Sequence, residues 1–157
     1  MRNLLPIALL FLAACGGSDP KALTSAGYAA LGKSDPKSAL AHFDEALAGL
    51  SVSDKDYYRA ALGRCEALAR VDAPEAQRYF LEIAAKLGKA TVREDDYSLV
   101  CNALIQANAA TEAVLVMHAG METFDKSAKM QQILDAVKAA AERSPSARSA
   151  LDGLGYT

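Results

Sequence analysis

The residues of this chain whose types could do chemistry are few: three thiols, two imidazoles and one run of carboxylates. Cys65 and Cys101, the two thiols inside the body of the chain, could exchange with a disulfide in an oxidising compartment. Neither they nor any serine sits in a nucleophile motif. His42 and His118 have no second His or Cys one helical turn away, so neither starts a metal pair. Glu94-Asp95-Asp96 lacks the spaced ligands of a calcium loop. It reads instead as the first turn of a helix, where carboxylates meet the positive end of the dipole. No glycine-rich phosphate loop follows a strand, and the sequence predicts no enzyme, no cofactor, no metal site and no small-molecule substrate.

The third thiol, Cys15, has a different setting. Arg2 precedes an apolar run from Leu4 to Leu12, and the small pair Ala13-Ala14 stands directly before the cysteine. That is the layout of an export signal, and it is too short for a membrane span, which takes about 20 apolar residues. Leu12-Ala13-Ala14-Cys15 resembles the bacterial lipobox. The resemblance implies removal of residues 1–14 and a diacylglycerol on the Cys15 thiol, with residues 15–19 as a short tether. Acyl chains contribute about 0.8 kcal/mol per buried CH₂, so several of them anchor the protein lastingly. The family pattern also places Asp after the cysteine in many proteins kept at the inner membrane. Gly16 stands there in this chain, which implies an outer-membrane protein facing the periplasm. The simpler alternative is a secretory signal cut after Ala14, with Cys15 uninvolved.

Cleavage leaves 143 of the 157 residues, enough for one domain with a core. It removes Arg2 from the 17 basic residues and none of the 19 acidic ones, which moves the formal charge from −2 to −3. A mildly acidic chain without a basic patch gains little from phosphate backbones, so no nucleic-acid partner is expected. Two cysteines beyond Cys15 are too few for a disulfide-held fold. Alanine supplies about a fifth of the residues and Trp is absent, which favours helices in close contact.

Such helices recur with a period of 37 residues. Ala39, Ala76, Ala113 and Ala150 form one column, and Phe43, Phe80, Met117 and Leu154 form another four residues on. Ala26, Gly63, Val100 and Val137 share the offset, as do Ala30, Ala67, Leu104 and Ala141. Each unit reads as two helices, with starts signalled by Asp19-Pro20, Asp35-Pro36, Ser53 to Asp56, Asp72 to Glu75, Thr91 to Glu94, and Ser144-Pro145. A small residue four before an aromatic on each second helix resembles the tetratricopeptide repeat. The resemblance implies an all-α fold, a right-handed α-solenoid of about four helix-turn-helix repeats, over residues 20–157. Its approximate repeats are 20–53, 54–90, 91–125 and 126–157, the last truncated by Gly153 and Gly155. The chain departs from the family in its period, usually about 34, and in lacking Trp and a proline after each second helix. An irregular alanine-rich bundle is the alternative.

In tetratricopeptide proteins the first helices line a concave groove. The resemblance assigns that face to Lys21, Thr24 and Tyr28; Tyr58, Ala61 and Cys65; Asp95, Ser98 and Asn102; Gln132, Asp135 and Ala139. Tyrosines, amides and single charges on a rigid wall suit an extended peptide or a partner helix. The expected function is therefore a lipid-anchored, non-enzymatic scaffold or assembly factor for an envelope protein or peptide. It is similar in architecture to lipoprotein pilotins and to the helical-repeat lipoproteins of outer-membrane assembly machines. Two alternatives remain: a passive structural lipoprotein, and a thiol-active redox protein using Cys65 and Cys101. Helix axes pack about 8–10 Å apart and a disulfide needs Cα atoms within about 7 Å, so those two bridge only if both point into one gap.

Overall fold

In the computed structural model, which describes residues 19–125 and 127–156, every regular element is a helix. Cys15 and the leader 1–14 lie outside the described residues. The helices are α1 Pro20–Gly32, α2 Pro36–Ala48, α3 Tyr57–Val71, α4 Ala73–Leu87, α5 Glu94–Gln106, α6 Ala110–Thr123, α7 Ala128–Ala141 and α8 Pro145–Gly153. Among the described residues no helix is long and apolar enough to cross a membrane.

Helix starts follow local chemistry. The Asp19, Asp35 and Asp72 carboxylates accept from the amides of Lys21, Ser38 and Glu75, each at 3.1 Å. Ser127 and Ser144 hydroxyls accept from Met130 at 3.2 Å and Ala147 at 3.3 Å. Each such cap satisfies an orphan N–H and contributes about 1 kcal/mol. Two expected caps fall elsewhere. Asp54 turns back to accept from the Ser51 amide at 2.6 Å, and α3 begins after it without a side-chain cap. At α5 the Asp96 carboxylate accepts from the Arg93 amide at 2.8 Å, in place of a box between Thr91 and Glu94.

Helix ends show the same turn twice. Ser34 and Asn108 adopt left-handed backbone, with φ of 58° and 60°. The next amides, Asp35 and Ala109, donate to the Ala30 and Leu104 carbonyls at 3.0 and 2.9 Å. This closes α1 and α5 with the six-to-one bond of a Schellman ending. These two turns lie two 37-residue steps apart.

Packing builds on these pairs. The two helices of each pair pack against each other, as do α2 with α3 and α6 with α7, whereas α4 and α5 are not close neighbours; α1 to α3 to α5 to α7 form one succession, and α4 to α6 to α8 form a second. Burial on the second helices repeats at 37 residues: Ala39, Phe43 and Ala46, then Ala76, Phe80 and Ile83, then Ala113, Met117 and Gly120. The Phe43 ring sits where α1 and α3 both carry glycine. A Cβ on Gly27 would come within 2.7 Å of that ring, and one on Gly63 closer still. Farther along, the Tyr97 ring meets Phe80 edge-on at 4.9 Å and Phe124 at 5.8 Å, with Gly120 making room beside it.

Candidate protein-binding surface

The face expected to bind a partner divides into two halves. On α5 and α7, Asp95, Asn102, Gln132, Asp135 and Ala139 are exposed and Ser98 is half-buried. Ser98, Asn102, Lys129, Gln132, Ile133 and Ala136 line a cleft of about 210 Å³ between these two helices. Asn102 Nδ2 donates to Ser98 Oγ at 3.5 Å, and Gln131 Nε2 donates to Asp135 Oδ1 at 3.3 Å. Lys129, which the sequence reading did not single out, forms an ion pair across the cleft with Asp95. That lysine holds the Asp95 carboxyl below its usual range, first through its hydrogen bond and then through its charge. The carboxamides of Asn102 and Gln132 are therefore open to solvent, each able to donate and accept.

On α1 and α3 the expected face is largely turned inward. Lys21 is exposed, but Thr24 is buried with its hydroxyl donating to the Pro20 carbonyl at 2.8 Å. Tyr28 is half-buried: its hydroxyl donates to the Arg59 carbonyl at 2.9 Å and its ring meets Phe43 edge-on at 5.1 Å. Burial first, then the Glu66 charge, push its ionisation up to about 12. The Tyr58 hydroxyl is buried beside the Asp96 carboxylate without completing a hydrogen bond of normal geometry. Burial, then that carboxylate, hold it far above the usual tyrosine range. Ala61 and Cys65 are completely buried, so the expectation that Cys65 lines a surface groove is corrected.

The cause is a one-residue slip. Buried positions on α3 match those on α5 at an offset of 36: Ala60 with Asp96, Ala61 with Tyr97, Cys65 with Cys101, Ala67 with Ala103, Leu68 with Leu104. One residue turns a helix by about 100°, enough to exchange an inner position for an outer one. At that offset the α3 positions matching Asp95, Ser98, Asn102 and Gln106 are Arg59, Leu62, Glu66 and Arg70, all exposed or half-buried. They are the α3 surface that the 37-residue register missed. The 36-residue spacing of Cys65 and Cys101, and of Gly27 and Gly63, was the available signal.

Other candidates resolve into structure. Both inner cysteines are free thiols in the core. Burial pushes Cys101 up to about 12 and Cys65 higher still, so neither presents a thiolate near neutral pH. Cys101 donates weakly to the Ala113 carbonyl at 3.6 Å. His118 Nδ1 lies 2.8 Å from the Tyr156 hydroxyl, and its Nε2 lies 3.7 Å from Glu122, a carboxylate one turn on. His42 is half-buried against the α1–α2 crevice with Asp35 and Ser38. Among the described residues no three His, Cys, Asp or Glu side chains gather as metal ligands. No protein-family model, curated protein or solved structure matches the chain.

Proposed function

We propose that this chain is a lipid-anchored scaffold of the bacterial envelope. Residues 1–14 direct export, Cys15 carries the lipid, and residues 20–157 form a right-handed α-solenoid of four tetratricopeptide-like helix pairs at the outer membrane, facing the periplasm. The first-helix face binds an envelope protein or peptide without catalysing a reaction. The observation that carries this reading is the α5–α7 cleft. Two exposed carboxamides, Asn102 and Gln132, flank it and match the hydrogen-bonding needs of a peptide main chain. Recurrence of buried residues at 37 on the second helices supports the repeat, and the succession of first helices supports a shared face.

Two measurements test it. Metabolic labelling with a clickable fatty acid should mark the wild type and leave Cys15→Ser unmarked; equal incorporation removes the anchor. Co-purification after gentle detergent extraction should yield one stoichiometric partner. The double variant Asn102→Ala, Gln132→Ala should bind it at least tenfold more weakly, about 1.4 kcal/mol, with unchanged circular dichroism. Full binding by that variant would put the interface elsewhere, and absence of any partner would leave a passive spacer.

A further inference from the structure

The chain reverses at every connection, so the helix ends collect on two opposite edges, and several contacts identify which ends share an edge. A Cβ on Gly49, after α2, would lie 3.0 Å from the Pro20 ring that opens α1. Leu23, Ala46 and Ala60 cluster from the start of α1, the end of α2 and the start of α3. Tyr58 faces Asp96 across the starts of α3 and α5, and Lys129 pairs with Asp95 across the starts of α7 and α5. Phe124, after α6, meets Tyr97. The starts of α1, α3, α5 and α7 therefore form one edge. On the opposite edge, the Thr111 and Ser146 hydroxyls meet at 3.0 Å across the starts of α6 and α8.

Given the lipid anchor proposed above, we infer that the edge carrying Pro20, the 49–56 loop and the 88–93 loop rests on the bilayer, so that the helices stand up from the membrane and the α5–α7 cleft opens sideways. A partner in that cleft would then be held in, or close against, the same membrane. The length of the tether carries the argument. Three residues separate Cys15 from Asp19, which caps α1. Four Cα steps span at most about 14 Å, and helices of this length run about 20 Å. The start of α1 is held near the lipid, while the far edge stands one helix length away from it.

The chemistry of the near edge agrees. Val52, an exposed large apolar side chain, lies in the 49–56 loop. Lys21, Lys55 and Lys89 are exposed on this edge and make no ion pair among the described residues. Of the acids there, Asp19 and Asp96 act as caps, Asp54 accepts from Ser51 and Asp95 pairs with Lys129, while Asp56 and Glu94 are half-buried and Asp125 is exposed. Lysines around an exposed apolar residue suit an anionic lipid surface. The outward flank of the first pair, the other surface within reach of so short a tether, carries Lys37, Ala41 and Glu45 on α2 and no exposed large apolar side chain.

The test uses the full lipidated chain in vesicles of phosphatidylethanolamine and phosphatidylglycerol with a headgroup quencher. Single fluorophores go on Ser53→Cys and Ala90→Cys at the near edge, Lys33→Cys and Gln106→Cys at the far edge, and Ala41→Cys on the flank. The buried Cys65 and Cys101 stay unlabelled. Near-edge dyes should be quenched at least threefold more than far-edge and flank dyes. Equal quenching at both edges, or the strongest quenching at Ala41→Cys, overturns the upright orientation while lipid on Cys15, read by mass, keeps the anchor. A chain without that lipid overturns the anchor and the orientation together.

Discussion

The first-helix surface has two characters. Across α1 and α3 it is closed, with Tyr28 pinned between Phe43 and the Arg59 backbone, Arg59 stacked 5.4 Å over the Tyr28 ring, and Cys65 sealed inside. Across α5 and α7 it is open, with amides and one ion pair around a cleft. Both halves use helix pairs of similar length, so the difference lies in what fills the gap between first helices. In the N-terminal half a phenylalanine from α2 enters a gap between two glycines and brings α1 and α3 together. No glycine lies on α5 or α7, and the space between these two helices is lined by polar side chains, Asn102, Gln132 and the Asp95–Lys129 pair. Binding surface in such a stack is what remains when packing leaves the gap unfilled.

The most damaging way to break this contrast is to empty the closed half. Phe43 is completely buried, and Phe43→Ala leaves a cavity facing two glycines that cannot fill it. The expected cost is about 3–5 kcal/mol, read by urea unfolding. Partner binding at the α5–α7 cleft should persist in whatever fraction stays folded. A loss below 1 kcal/mol would mean that Phe43 does not join α1 to α3.

The two thiols offer a second comparison, since one lies in each half. Burial raises Cys101 from 9.0 to about 12 and raises Cys65 further. A value three units higher leaves about a thousandfold less thiolate at pH 8, and labelling with a disulfide reagent should be slower by at least that factor in the folded chain than in urea. The linkage has a definite sign. Because the folded value is raised, the stabilisation is fully present below about pH 9 and is lost as pH rises towards 12, where the unfolded chain releases the proton first. Fast labelling of either thiol at pH 8 in the native state would revive a redox role.

How far the sequence could show this depends on the residue types involved. Asp-Pro and Ser-Pro steps announced three helix starts because a short acceptor before proline has few other uses. The second-helix column was readable because Phe43 and Phe80 differ from everything around them. On α3 the buried positions are mostly alanine, which fits a small-residue column at neighbouring offsets alike. Ala60 and Ala61, or Ala67 and Ala69, read alike whether the offset is 36 or 37, so Tyr58 and Cys65 were assigned to the wrong face. The polar character of Asp95, Asn102, Gln132 and Asp135 carried more information, and there the expected exposure matches the structure. Lys129 escaped notice because a lone lysine in a first turn has no pattern.

The two tyrosines of the closed half should respond oppositely to loss of a hydroxyl. Tyr28→Phe removes a 2.9 Å hydrogen bond that ties α1 to α3 and should cost about 1 kcal/mol. Tyr58→Phe removes a buried hydroxyl that completes no hydrogen bond, so it should be neutral or stabilising by up to about 1 kcal/mol. Unfolding midpoints of the two variants would check the pair. A larger loss for Tyr58→Phe would show that its hydroxyl does bond Asp96.

The smallest expected effect compares the two turns that close α1 and α5. Ser34 and Asn108 hold nearly the same left-handed backbone, at φ of 58° and 60°, and both turns end in the same carbonyl contact. A Cβ is strained in that region, whereas glycine occupies it freely and asparagine tolerates it through its short polar side chain. Replacement by glycine also loosens the unfolded chain, which opposes the gain. Relief should win at Ser34, so that Ser34→Gly stabilises by about 0.5–1 kcal/mol. At Asn108 the strain is already smaller, and Asn108→Gly should change stability by less than about 0.5 kcal/mol. Chemical denaturation of the two single variants and the double variant decides it. The effects should add, because the turns close different helix pairs and share no partner. Equal gains at both sites would mean that asparagine has no advantage in this turn, and a loss at Ser34 would mean that its side chain stabilises the α1 ending more than its backbone strains it.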